Sequence, residues 1–412
     1  MDQYLTYDLP GIGGVIKQDP TDFYVEEMPL YAPIGDGAHT FFEIEKTGLS
    51  TFEAVRAIAR ALNVSQAHIG YAGLKDAQAV TRQVLSVERV PPEAVSDLQL
   101  PGIRVRWAKR HRNKLKIGHL RGNRFTIRVR DVSEQAEPAC QAILDVLIRR
   151  GVPNRYGPQR FGMRGDSGRL GRSVVMGDAR GFVQAFLGRP HPNESEAVQA
   201  ARGRFEAGDW EAALALLPGS MADERHALMA LLQSHGDYWR AYGAVPKRLK
   251  TFLLSAYQSV LFNRVLDARL QSLDRVYAGD LAVKHPGHSI FRVLDETVEQ
   301  PRARAFEISP TGPIFGFKMM QPTGTQGDAE AEILASEGLS LDSFRGAAGI
   351  RAEGARRALR FEINEPAISY DEGIVLQFWL QPGCYATAVL AELMKVPTEP
   401  NSQSDVMELT EL

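Results

Sequence analysis

Over the first 150 residues, short alternating runs of apolar and polar positions give way repeatedly to helical spacing, which predicts a mixed α and β unit. Residues 39–46 (HTFFEIEK) partly alternate, as a half-buried strand should. A helix is predicted next, opened by Ser50 with Glu53 three positions on, the spacing of a capping box. Its apolar positions Phe52, Val55, Ala59 and Leu62 share one face. Residues 81–87 (TRQVLSV) and 125–132 (FTIRVRDV) read as strands, and 134–150 as a helix ended by Gly151 and Pro153.

The pattern then changes. Residues 154–165 (NRYGPQRFGMRG) are glycine-rich, cationic and aperiodic, hence a loop. From 168 to 273 helical patterns dominate, broken at 188–193, 218–219 and Pro246. Residues 200–217 look superficially like one helical-hairpin repeat, but no second copy follows at a fixed period, so an ordinary helix pair is expected. Short strands with Gly and Pro turns are predicted over 279–316, two more strands at 357–363 and 373–380, and a last helix at 385–394. The polar sequence after Val396 reads as a frayed tail. Strands at both ends with helices between imply one α+β domain interrupted by a second, although which strands pair is not legible.

Composition narrows the class. At 412 residues, with 44% hydrophobic and 24% charged positions, the chain is long enough for two or three ordinary globular domains. Apolar runs such as 213–217 and 252–256 are far too short to span a bilayer, so no membrane role is expected. The first residues have neither a basic flank nor an apolar run, so no secretory signal is visible. Cys140 and Cys384 are the only cysteines, which suggests a reducing compartment, the cytoplasm on the plain reading, and excludes a disulfide scaffold. The net charge of −2 conceals a sharp asymmetry: residues 104–130 hold 11 Lys or Arg and no acid. An ordinary exposed face mixes both signs, so this segment calls for an anionic partner such as a phosphate backbone. The stretch from Glu392 onward is mildly acidic instead.

Four segments could carry chemistry. In residues 71–83 (YAGLKDAQAVTRQ), Gly73 permits an unusual backbone just before Lys75 and Asp76, and Gln78, Thr81 and Gln83 follow into a strand. Asp76 could be fixed there by donors from both sides; from spacing alone, a solvated turn with a capping Asp is the stronger reading. Within the basic segment, Phe125 could stack a base among cations or simply face the core at the start of a strand. In residues 154–162, Gln159 and Arg160 offer forked donors suited to phosphates or base edges, and the loop could equally be a hinge. Lys17, near the N-terminus, would by itself be an ordinary solvated lysine. Other chemistries find no support. His285 and His288 are separated by Pro and Gly and lack a third ligand, so no metal site is expected. There is no Gly-Lys-Ser/Thr triplet, no Gly-x-Ser-x-Gly elbow, and Gly11–Gly14 precedes a strand rather than a helix.

Taken together, residues 73–83 (GLKDAQAVTRQ), Lys17 with Asp22 and Phe23, residues 122–125 (GNRF) and 152–162 (VPNRYGPQRFG) resemble the signature of TruD-type tRNA pseudouridine synthases. Residues 378–390 (FWLQPGCYATAVL) are similar to the family's closing strand and helix, and 255–263 (SAYQSVLFN) to a helix of its inserted domain. Tyr385 stands where many relatives have Phe, Cys384 where they often have Ser, and residues 189–247 look longer than in short members. The resemblance implies an α+β fold: a V-shaped, two-domain protein whose catalytic domain, residues 1–155 and 350–395, is built on a mixed, mostly antiparallel sheet. A TRUD domain would be inserted at 156–349, and a polar tail would follow at 396–412. It further implies isomerisation of uridine 13, in the D-arm region of tRNA, to pseudouridine without a cofactor. Asp76 would be the catalytic carboxylate, with Lys17 beside it favouring its charged form. Phe23, Phe125 and Tyr385 would enclose the flipped uracil and Asn123 would bond its Watson–Crick edge. Lys75, Lys109, Arg110, Arg112, Lys114, Lys116, Arg121, Asn154, Gln159 and Arg160 would contact RNA. A non-catalytic RNA-binding or RNA-chaperone protein on the same fold is the alternative. The oligomeric state is left open, with a monomer as the default expectation.

Overall fold

Two runs of alternating burial open the structure, β1 (Phe23–Pro29) and β2 (His39–Thr47). In the computed structural model, which describes residues 4–346 and 349–396, the second is followed by α1 (Thr51–Ala61). Its N-terminus is closed reciprocally by Ser50 and Glu53, the capping box expected from the sequence. The helix buries Ala54, Val55, Ile58 and Ala59 against Phe42 and Ile44 of β2, so residues one α-turn apart meet residues two apart on the strand. The short β3 (Ile69–Tyr71), β4 (Val80–Glu88), β5 (Ile103–His111) and β6 (Leu120–Val129) complete the N-terminal strands. A C-terminal hairpin, Asn364–Tyr370 and Ile374–Leu380, joins the same sheet beside β6.

Among the described residues this is an eight-stranded sheet, running from the hairpin through β6, β1, β4 and β2 to β5, with β3 also on β4. Only β1 and β4 pair in parallel, so the sheet is mixed and mostly antiparallel. β1 and β6 are central. Gly122 allows the close approach of β6 to the hairpin, because a Cβ there would lie 2.4 Å from the Leu380 carbonyl oxygen. The helix Glu137–Arg150 ends at Gly151, whose φ of +89° favours glycine, as the sequence predicts.

The described residues divide into two compact units, 4–154 with 361–396, and 155–360. The second unit, described by itself, is built on the long helix Lys247–Arg269, against which Ser167–Met176 packs along a glycine, Gly171, that admits the Leu253 backbone. Around it lie Ala179–Leu187, Glu196–Glu206, Trp210–Leu216, Ala222–Gln233 and Tyr238–Ala244, the helical region anticipated between 168 and 273. Residues 200–217 form a helix pair, as expected. A four-stranded sheet of Leu281–Lys284, Ile290–Arg292, Ile308–Ile314 and Ala355–Ala358 follows. The helices Glu296–Arg304 and Gly324–Ser336 are additions to the sequence reading, as are β1 and β5. The strand expected from residue 125 starts earlier, at Leu120, because its first residues pair with the outer end of β1. The tail expected at 396–412 lies outside the described residues beyond Val396.

Pairing of β2 with β5 sets His39 opposite His111. His111 lies 4.3 Å from the Phe41 ring and stacks 5.3 Å from Tyr31, and the Nδ1 atoms of both histidines are buried without a hydrogen-bond partner. Burial holds both imidazoles below their usual titration range. A histidine depressed in the folded state is neutral there and gains its proton more readily on unfolding. Its stabilising contribution is therefore complete above about pH 6.5, the unfolded value, and is lost as pH falls below it. The expected result is that the melting temperature falls more steeply from pH 7 to pH 5.5 in the wild type than in His111→Phe. Parallel melting curves across that window would remove His111 from the account.

Candidate active site

The carboxylate of Asp76 is held at both of its oxygens. Its Oδ1 accepts the backbone N–H of Gln78 at 2.8 Å, and Oδ2 pairs with the Lys17 ammonium. Lys17 is nearly inaccessible, with 6% of its side chain exposed, whereas 21% of the Asp76 side chain faces solvent. The pair thus has one buried and one open end. Lys17 has a φ of +59°, a left-handed conformation disfavoured for a residue with a Cβ. Such local strain persists where surrounding contacts over-determine it, and it concentrates at functional sites. The ammonium also lies 4.8 Å from the centre of the Phe23 ring.

Phe23 in turn meets Phe125 edge to face at 6.2 Å, and Phe125 lies 5.5 Å from Phe378. The register explains the trio. Phe125 is paired with Phe378 on one side and with Val25, two residues from Phe23, on the other, so all three rings leave the same face of the sheet. Asn123 shares that face two positions along β6, opposite Glu27, and its Oδ1 is buried with no partner. A buried carbonyl oxygen without a donor is costly unless a ligand supplies one. The Lys17–Asp76 pair and the Phe23–Phe125 contact are therefore contiguous, and Asn123 lies on the same face of the sheet as the rings. Tyr385 stands apart: it is 41% exposed ahead of the helix Ala386–Met394, and among the described residues no hydrogen bond or ring contact joins it to the others.

The backbone beneath Asp76 is secured from several directions. Gln83 Nε2 donates to the Gly73 carbonyl at 2.7 Å, while the Thr51 hydroxyl accepts from Lys75 N–H at 2.9 Å and donates to Gln83 Oε1 at 3.1 Å. The Lys75 ammonium is 2.7 Å from Glu27, both side chains being buried, and the other Glu27 oxygen accepts from Val84 N–H. Lys75 is thus placed inside the unit, as support for the Asp76 loop, rather than at an RNA-facing surface. Glu27, Lys46 and Thr51 were not singled out in the sequence. Parity could have flagged Lys46, which falls in step with Phe42 and Ile44 on β2.

The cationic segment resolves into two parts. Arg124, Arg128 and Arg130 on β6 and just beyond it pair with Glu365, with Asp371 and Asp22, and with Asp22 and Glu372. These charges are largely spent within the fold. Arg121 lies over the Trp379 ring. By contrast, Lys109, Arg110 and Lys116 make no ion pair among the described residues, Lys114 donates to the Ala67 carbonyl, and Arg112 is exposed 3.4 Å from Asp36. Edge strand β5 and the turn after it therefore keep the uncompensated charge. Asn154 is buried at the end of the first unit. In the second unit Gln159 is half-buried, and Arg160 donates to Ser255 and Ser259 of the long helix and lies against Tyr156 and Phe252. Those bonds give Arg160 a structural function in its own unit. His285 bonds Ser309, and among the described residues no three His, Cys, Asp or Glu side chains group as metal ligands. No described helix is long and apolar enough to cross a membrane.

Comparison with known proteins agrees with the motifs throughout. The family model for tRNA pseudouridine synthase D (TruD) matches residues 1–393. A protein of that name from Geobacter metallireducens is 50% identical over 394 residues, covering 95% of this chain and 98% of the relative. Its counterpart from Geobacter sulfurreducens is 48% identical, covering 96% and 97%. A crystal structure from Methanosarcina mazei carrying the same TruD name superposes with a TM-score of 0.86 at 27% identity, over 96% of each chain. Matched from end to end in sequence and in fold, the chain belongs to the TruD family of tRNA pseudouridine synthases.

Proposed function

We propose that this enzyme isomerises one uridine of tRNA, U13 in the D-arm region, to pseudouridine, with Asp76 as the catalytic carboxylate and no cofactor. The observation that carries the reading is the setting of Asp76: one oxygen on a backbone N–H, the other on a buried ammonium, beside a cluster of aromatic rings. Both carboxylate oxygens of Asp76 are met by donors, the Gln78 N–H and the Lys17 ammonium, which fixes the group the reaction requires. The reaction is an isomerisation and its atoms balance internally. The C1′–N1 bond breaks, the base turns, a C1′–C5 bond forms, C5 gives up its proton and N1 gains one. An ionised Asp76 serves either by attacking C1′ or by removing the 2′ proton.

The target base has to leave its stack, at a cost of a few kcal/mol, and aromatic surface recovers part of that. Phe23, Phe125 and Tyr385 are the rings assigned to this work, and the unpartnered Oδ1 of Asn123 suits a donor on the uracil edge. Lys109, Arg110, Arg112, Lys114 and Lys116 hold phosphates, which position the RNA without reading its sequence.

The test is pseudouridine mapping of tRNA incubated with the purified chain and nothing else. A single new pseudouridine at position 13 is expected. A product at another position would correct the site alone. Tight, salt-sensitive tRNA binding without any product would favour a non-catalytic RNA-binding or chaperone protein on this fold.

A further inference from the structure

Lys46 is fully buried on the inner face of β2, in step with Phe42 and Ile44, which pack against α1. An ammonium in such a place is costly to desolvate, and an apolar side chain would serve packing better. Its acceptors indicate why a cation stands there. The ammonium donates to the carbonyl oxygens of Asp76 at 3.1 Å and Lys75 at 3.3 Å, and to that of Leu49 in the turn leading to α1. Two successive peptide groups of the Asp76 loop are thus tied through one point to the β2–α1 connection.

We propose that Lys46 is a positioning residue for the reaction at Asp76, a role that rests on reading Asp76 as the catalytic carboxylate. The carbonyl of Asp76 and its Cα–Cβ bond are joined at a single carbon, so fixing the peptide plane sets the direction in which the carboxylate leaves the backbone. That direction keeps Oδ2 on Lys17 and Oδ1 on Gln78 N–H. The rest of the loop is held separately: Gly73 by Gln83, Lys75 N–H by Thr51, and the Lys75 ammonium by Glu27. Loss of Lys46 therefore loosens the Asp76 end while the loop and sheet stay in place. A displacement of about 1 Å at a reacting group is enough to lower a rate by roughly 10²-fold.

The experiment compares Lys46→Met, Lys46→Gln and Lys46→Arg with the wild-type full chain. It measures thermal melting, the tRNA dissociation constant, and the single-turnover rate of pseudouridine formation at saturating enzyme, well below each melting point. The expected result for Lys46→Met is a rate about 10²-fold lower with the dissociation constant within about threefold. Lys46→Arg, which keeps a charged donor, should regain at least about tenfold of that loss. A purely structural lysine would lower the melting point yet leave the rate per folded molecule unchanged, and that outcome overturns the proposal. So does a loss of binding that matches the loss of rate. If Lys46→Met does not fold, Lys46→Gln decides by the same three readouts, since it keeps an amide donor and loses the charge. Asp76→Asn measured alongside separates the two ideas. Activity in that variant would remove the underlying reading, whereas an inactive Asp76→Asn beside a fully active Lys46→Met removes the positioning role alone.

Discussion

Asp76→Asn is expected to lower pseudouridine formation by roughly 10⁴-fold or more while changing tRNA affinity by no more than about tenfold. The asymmetry follows from what each process uses. Asparagine can still accept the Gln78 N–H, so the turn survives, but it can neither attack C1′ nor take a proton. A phosphate-dominated interface would hardly use this side chain. The substitution has a second consequence, because the Lys17 side chain is only 6% exposed and loses its acid. Removing one partner of a buried pair costs about 3–5 kcal/mol in general, and the partly open Asp76 end places this site toward the lower side. A lowered melting temperature is therefore expected for Asp76→Asn and partial recovery for Asp76→Asn with Lys17→Met. Recovery of stability without recovery of turnover distinguishes chemistry from folding. Substantial turnover in the single variant would remove Asp76 from the reaction.

Reversing Arg110, Arg112 and Lys114 together to Glu should weaken tRNA binding by about 10²-fold or more near physiological salt and flatten its salt dependence. Each phosphate that goes without its cation takes roughly 0.7–0.9 from the slope of log affinity against log salt concentration, so three such phosphates lower it by about 2 to 3. Edge strand β5 and its following turn are the place to make the change, because Arg124, Arg128 and Arg130 already face Asp22, Glu365, Asp371 and Glu372. The matching control is Arg124→Glu on β6, whose ion pair with Glu365 predicts a much smaller change of slope. An unchanged slope in the triple variant would put the RNA on another surface. The single-turnover rate at saturating protein should stay near wild type, since none of the three residues touches Asp76.

Much of the fold was legible because local rules acted unopposed. The Ser50–Glu53 box, the alternation of residues 39–46, the Gly151 stop and the helix run from 168 all rest on neighbours in sequence. β5 was missed because it is an edge strand carrying Arg104, Arg106 and Lys109 outward, so its charge masked its period. β1 was missed because Glu26 and Glu27 fall on opposite faces, and only one of them meets solvent. The cationic segment likewise looked uniform, although partners more than 100 positions away neutralise its last third.

The sequence by itself determined the class of the fold, the position of Asp76 in a glycine-led turn and the presence of a local positive charge. It did so through residues whose meaning depends on near neighbours. What only the tertiary structure decided is which charges are buried and with what. Lys75 meets Glu27 across 48 positions, Lys17 meets Asp76 across 59, and Lys46 reaches the Asp76 loop across 30. A charged residue written in a chain reads as exposed, since burying it alone is prohibitive. Only pairing of strands distant in sequence supplies the counter-charges and carbonyls that make such burial tolerable, and that pairing is what aims the carboxylate.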